Sequence, residues 1–367
     1  LGPYSYDKAV LGSYRDYVPN HYELGYALVA EGRRKYGTEL WEHTLNTVAR
    51  RPYMITPFQK GIRDITGKRK RAFYEECMLG LKDRWYDQDR AVRAPVPMQI
   101  SPWQKEYTDY RHPHFLNDSL YIALRIPLDD IARFVLLDGH GHEEVIFTPG
   151  FLKYESLSVE AGKICWLESR PDPRWDHRSY TGIRILDIES RTLTRLNFRQ
   201  RVYAPALSPD GKRLLAVKVD SLDRYSLLLM NAENGQLIRS MHAPGNAFIQ
   251  TPAWAGDDLA IAVLVTENGK NIAKFDLSSG RSKTLMEWGY TDILQPCYHA
   301  PHIFFTGGYS GISNLYALNM ETGMIFRVSN SRFGARALDV SGDGKALVYA
   351  GYTPDGYAIV RSEPGEQ

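Results

Sequence analysis

The hydrophobic pattern changes period once along the chain. Up to about residue 90 apolar side chains recur every three or four positions, as in a helix; beyond it they alternate in short runs broken by Gly, Asp and Asn. After Pro19-Asn20 the run Tyr22, Tyr26, Leu28 and Val29 predicts a helix that Gly37 ends. Thr38 is placed to cap "ELWEHTLNTVARR", which stops before Pro52. Thr56-Pro57 opens "FQKGIRDIT", closed by Gly67. A last helix over about 70–87 sets Phe73, Cys77, Leu81 and Trp85 four apart on one face. The expectation is a small bundle of four short helices, with 88–97, containing Pro95 and Pro97, as a linker.

The strand-like region repeats. "YAPALSPDGKRLLAVKVD" (203–220) centres on Pro209-Asp210-Gly211, a hairpin turn between two apolar runs. The pattern returns at 251–265, 295–308 and 335–351, with Pro205, Pro252 and Pro296 spaced 47 and 44 residues apart. Third strands follow in "SLLLMNAENG", "NIAKFDLSSG" and "NLYALNMETG", and fourth strands in "QLIRSMH", "SKTLMEW" and "MIFRVSN". Two more divergent units fit at 112–147 and 154–198. Six units of about 40–47 residues, four strands each, are the signature of a β-propeller. The sixth unit ends near Arg361 with only three strands, and "VPMQISPW" (96–103) reads as the missing fourth. The expected fold is mainly β: a helical domain over 1–94, then a six-bladed β-propeller over 95–367.

Composition narrows the function classes. The net charge of +2 gives no bulk electrostatic case for nucleic acid. Residues 1–94 hold 17 Lys/Arg against 12 Asp/Glu, the excess lying in "KRKR" (68–71), which we read as a solvated helix start. Cys77, Cys165 and Cys297 are odd in number and far apart, so neither a disulfide framework nor a zinc site is expected. No run approaches the length of a membrane helix, and no cofactor motif stands out. The chain opens on Leu1 without a signal-peptide pattern, which we read as a processed product or a piece of something longer.

Several stretches mimic chemistry. "DGHGHEEV" (138–145) offers His140, His142, Glu143 and Glu144 but aligns with hairpin turns. "GYSGI" (308–312) has Ile312 where a nucleophile elbow needs Gly. "GIRDITGKR" (61–69) is one residue too long for a phosphate loop. His112 and His114 flank an innermost strand. The stronger candidates come from topology. In a propeller the fourth-to-first and second-to-third connections gather on one face. Here they bring His112, Arg201, Tyr203, Gln250, Gln295 and Arg332, joined by Arg174, Trp175, Tyr180, Tyr309 and Asn314. "RPDPRWDHRSY" (170–180) is the longest of these loops, and its Arg, Trp and Tyr suit a binding hot spot. The competing reading is that these side chains plug the channel and bond neighbouring blades.

The Ser-Pro-Asp-Gly-Lys turn at 208–212, and its variant Ser-Gly-Asp-Gly-Lys at 341–345, resemble the repeats of TolB-like propellers. The stretches 13–37, 49–68 and "FYEE" (73–76) resemble the helical tail of a gluzincin-type metallopeptidase domain, which precedes a TolB-like propeller in large Bacteroidetes-type cell-envelope proteins. The resemblance implies a periplasmic or cell-envelope location and a protein or peptide ligand. It supplies no catalytic residue: His-Glu-x-x-His is missing from this sequence, so no zinc ligand carries over. The expectation is a non-catalytic binding propeller. The alternative is a piece of a zinc peptidase whose metal helix lies before Leu1, with the propeller gating substrate.

Overall fold

The computed structural model describes residues 4–91, 98–152, 157–175, 177–198 and 201–363. Residues 92–97, most of the expected linker and the start of the expected closing stretch, lie outside them, as does Asp176 of the long loop. The chain divides into two compact units, Leu1–Arg93 and Ala94–Gln367.

The first unit holds five helices among its described residues: α1 (Tyr6–Leu11), α2 (His21–Tyr36), α3 (Glu39–Arg50), α4 (Pro57–Thr66) and α5 (Lys70–Ala91). The sequence pattern predicts four. The extra one, α1, spans six residues and is too short to display a period. At α2 the Asn20 carboxamide accepts from the Tyr22 and Glu23 N–H groups, while Glu23 accepts from the Asn20 N–H, a reciprocal capping box. The core is Leu40, Ile62, Phe73 and Cys77, with Leu28, Tyr36 and Trp41 packed against it. Tyr22, Tyr26 and Trp85 share the helical spacing but are exposed. Helical spacing reports a shared face and does not say whether a neighbour covers that face.

The second unit is a ring of six four-stranded antiparallel sheets. A short strand β1 (Met98–Gln99) comes first in the chain. Blade 1 is β2–β5 (Thr108–Phe115, Leu120–Pro127, Arg133–Asp138, Glu143–Phe147). Blade 2 is β6–β9 (Leu157–Glu160, Lys163–Pro171, Ser179–Asp187, Leu193–Asn197). Blade 3 is β10–β13 (Arg201–Leu207, Arg213–Val219, Tyr225–Asn231, Leu237–His242). Blade 4 is β14–β17 (Phe248–Trp254, Leu259–Thr266, Gly269–Asp276, Ser282–Thr284). Blade 5 is β18–β21 (Ile293–His299, His302–Gly307, Asn314–Asn319, Ile325–Arg327). Blade 6 combines β22–β24 (Ala335–Val340, Leu347–Thr353, Gly356–Ser362) with β1, in the order β1-β24-β23-β22. Met98 pairs with Arg361 and Gln99 with Val360, so the outermost strand of the last blade comes from the opposite end of the unit.

The core lies between blades. Leu215, Val217, Leu227 and Leu229 of blade 3 pack against Ile249, Ala262, Leu264 and Phe275 of blade 4. At the closure Ile100, Val348 and Ile359 pack against Tyr110, Tyr121, Val135 and Leu137 of blade 1. Alternating strands bury both sheet faces at once, which is why their middles read as continuous apolar runs.

Candidate functional site

The innermost strands share one irregularity. In β2, β10, β14, β18 and β22 two residues oppose a single partner residue on the second strand: 112–113, 204–205, 250–251, 295–296 and 337–338. Four of the leading residues, His112, Ala204, Gln295 and Ala337, have φ between 49° and 53°, the left-handed region that non-glycine residues rarely enter. The second bulge residue is proline in Pro113, Pro205 and Pro296. Proline brings no N–H, so it suits a position whose ladder bond is lost. The repeated X-Pro pairs are the sequence signal of these bulges, although spacing alone marks them only as repeat landmarks.

The bulges shape a central cavity of about 270 Å³, lined by all six innermost strands. His112, His114 and Gln295 line it, with Glu160, Thr251, Cys297 and Asp339, which the sequence does not single out as a site. Asp339 organises one side. Its carboxylate accepts from the Phe115 and Val340 N–H groups, each at 2.9 Å, and from the Cys297 thiol at 3.7 Å. The His114 Nδ1 lies 3.5 Å from it. Burial pulls the His114 imidazole toward neutrality, but Asp339 and then Glu160 outweigh it and raise its pKa. Burial, reinforced by the Asp339 charge, lifts Glu160 to about 7. Burial and Asp339 push the Cys297 thiol well above the ordinary range, which keeps it un-ionised. Among the described residues no group of three or more His, Cys, Asp or Glu is placed to hold a metal ion.

The other candidates sit at the face shared by the fourth-to-first and second-to-third connections. Asp172 braces the β7–β8 loop: its carboxylate accepts from the Arg174 N–H at 2.9 Å, the Trp175 N–H at 3.1 Å and the Tyr180 hydroxyl at 3.1 Å. The Arg174 guanidinium stacks 5.2 Å from the Trp175 ring, which remains 56% exposed. Tyr203 donates its hydroxyl to the Ile249 carbonyl at 3.3 Å and stacks on Phe248, tying blade 3 to blade 4. Gln250 accepts from Lys270 Nζ at 2.9 Å, and the same ammonium reaches Asp292 at 2.6 Å at the entry to blade 5. Tyr309 and Lys270 line a separate groove of about 680 Å³ with Leu285, Met286 and Ile293. Arg332 stacks on the exposed Phe333 at 5.0 Å, and Arg201 is exposed at the start of β10. Asn314 is buried: its carbonyl oxygen accepts from Ser329 Oγ and the Ser331 N–H, and its amide donates to the Ile312 carbonyl. Its side chain therefore serves as a local brace. The candidates thus divide among the channel (His112, Gln295), inter-blade ties (Tyr203, Gln250), an internal brace (Asn314) and an exposed rim.

Neither a protein-family model nor a curated protein matches this chain. Solved structures do. TolB from Acinetobacter baumannii is 18% identical over 64% of this chain and 63% of its own length, with a TM-score of 0.43. The match therefore spans somewhat less than two thirds of that TolB chain. The β-propeller domain of the Trilobed protease from Pyrococcus furiosus is 12% identical over 71% of this chain and 97% of its own, TM-score 0.46. Puromycin hydrolase, as an S511A mutant complexed with PGG, is 15% identical over 72% and 55%, TM-score 0.50. Ala94–Gln367 is a six-bladed β-propeller, and the likeness to these solved structures reaches no further than fold.

Proposed function

We propose that this chain is a non-catalytic binding and scaffold protein whose propeller recognises a protein or peptide at the cell envelope, in the periplasm where one exists. The observation that carries the reading is the braced β7–β8 loop. Asp172 fixes the loop from three donors while Trp175 stays 56% exposed. An exposed aromatic held rigid before binding supplies contact area at low entropic cost. Tyr309 and Phe333, 45% and 50% exposed, lie on connections at the same face. The envelope location rests on the resemblance of the Asp-Gly-Lys turns to TolB-like propellers.

The reading is tested by selecting a random peptide display library on the whole 367-residue chain. Peptides whose binding is lost in Trp175→Ala, at unchanged stability, are the expected result. Selection that yields no binder, or binders indifferent to the Trp175, Tyr309 and Phe333 variants, argues against it.

A second reading takes the helices of the first unit as the tail of a gluzincin-type domain, with the propeller gating substrate. Its support is the sequence resemblance of 13–37 and 49–68. A reading frame that encodes His-Glu-x-x-His upstream of Leu1 would favour it.

A further inference from the structure

The channel cavity has a chemistry of its own. Its lining contains two carboxylates, Glu160 and Asp339, and two imidazoles, His112 and His114, but no Lys or Arg. Asp339 is engaged by backbone N–H groups, a thiol and His114. Glu160 is different: among the described residues no hydrogen bond or ion pair reaches its carboxylate. Two further acceptors in the same lining are unsatisfied. Thr251 Oγ1 and Gln295 Oε1 are buried without a hydrogen-bond partner among the described residues. Buried polar atoms are rarely left unpaired, because each gives up its hydrogen bonds to water without replacement.

We propose that the channel cavity is a primary-ammonium site, in which Glu160, Thr251 and Gln295 accept from the three N–H bonds of a cationic amine. The inference rests on the binding reading above and names the ligand chemistry for it. The three acceptors come from blades 2, 4 and 5. An ammonium is three donors around one charge with no acceptor, which matches three acceptors of which one is an unpaired carboxylate. The Thr251 hydroxyl and the Gln295 amide can also donate, but an ionised Glu160 repels an anion and no Lys or Arg in the lining offsets it. The volume of about 270 Å³ lies below the usual range for a drug-sized ligand, about 300–1,000 Å³, so the site fits a small amine or the end of a peptide chain or side chain.

The groups facing Glu160 set the pH response. They are His114 on β2, Cys297 on β18 and Asp339 on β22, with His112 and Tyr298 also in the lining. Raising the pH from 5 to 8 ionises Glu160, while an alkylamine stays protonated. That change makes the cavity more negative, so amine binding tightens across that window.

The test uses the whole chain and n-butylammonium, a mimic of the Lys side chain, observed by saturation-transfer NMR. Two controls separate charge from donors: tetramethylammonium has the charge without N–H, and n-butanol has a donor without the charge. The expected result is n-butylammonium binding that exceeds both controls and weakens about tenfold or more in Glu160→Gln and in Gln295→Leu. Near-UV circular dichroism checks that each variant keeps the native fold. A Lys peptide blocked at its N-terminus, compared with a Lys-free peptide bearing a free α-amine, tells which source of the ammonium is preferred. Absence of n-butylammonium binding, or equal binding by folded variants and wild type, overturns the proposal. So does saturable, Glu160-dependent binding of Mn²⁺ alone without amine binding, which would make the cavity a metal site. Library peptides that depend on Trp175 but not on Glu160 would sink the ammonium site and leave the binding reading standing.

Discussion

At the scale of single residues, one turn is built twice. Ser208 Oγ donates to Asp210 and accepts from the Arg213 N–H at 2.8 Å, while Asp210 accepts from the Lys212 N–H at 3.1 Å. Ser341, Asp343, Lys345 and Ala346 repeat the arrangement, with 3.1 Å from the Lys345 N–H to Asp343 and 2.9 Å from the Ala346 N–H to Ser341. Gly211 and Gly344 take φ of 67° and 74° to close the turns. These bonds, led by the serine hydroxyls, hold the Asp210 pKa below its usual value and the Asp343 pKa at about 2. A depressed carboxylate pKa adds stability that is complete above the unfolded value of 3.8 and fades as pH falls toward 2. Asp343→Asn is therefore expected to lower the melting temperature at pH 6 and to converge on wild type near pH 2. A constant difference across that range would show that the charge of Asp343 is not involved. Glu160 works in the opposite sense. Its raised pKa gives stability that is complete below 4.5 and lost as pH climbs through about 7. Glu160→Gln is expected to flatten the fall in melting temperature between pH 5 and 8, and an unaltered slope would contradict the assignment. The Asp-Gly-Lys turns are legible in the sequence because each bond is made within five residues. Glu160, Thr251 and Asp339 are not, because only ring closure brings three different blades onto one channel.

At the scale of elements, two contacts close the ring. The Ile100 N–H donates to the Ile359 carbonyl at 2.8 Å, and Ser101 Oγ accepts from the Ile359 N–H at 3.0 Å. Ile100 is 1% exposed. Ile100→Ala removes a fully buried side chain and is expected to cost about 2–5 kcal/mol in chemical denaturation. A cost under about 0.5 kcal/mol would mean that the closure does not support the fold. The second contact lies at the β23–β24 turn, where Gly356 has φ of 117° and a Cβ would come within 2.1 Å of the Thr108 carbonyl oxygen. Gly356→Ala is expected to destabilise the propeller as well, because backbone strain and a backbone clash act together. That the last unit has only three apolar runs is plain in the sequence. The bulges are less so. A bulge inserts one residue and preserves the overall apolar run, so periodicity passes over it, and the repeated X-Pro pairs are its only local trace. In α5 the same limit appears differently: Trp85 has the spacing of Phe73, Cys77 and Leu81 but is 57% exposed, outside the core they help to build.

At the scale of the whole molecule, the six-bladed architecture is legible because a repeat of about 40–47 residues states its pattern several times over. Function is less legible because it belongs to side chains that the fold gathers from distant blades. Of the rim residues singled out by topology, Trp175, Arg201 and Tyr309 face solvent, whereas Asn314 is consumed by the framework. We propose that 95–367 is an independent folding domain; expressed alone, it is expected to unfold cooperatively, and a molten, non-cooperative product would contradict that. We propose that the rim binds a ligand rather than merely tying blades together. It is tested most directly by measuring melting temperature and peptide affinity on the same Trp175→Ala chain, with a peptide selected on the wild type. An affinity loss of about 2 kcal/mol or more with an unchanged melting temperature is expected. A lowered melting temperature with unchanged affinity would contradict it and make Trp175 a structural residue.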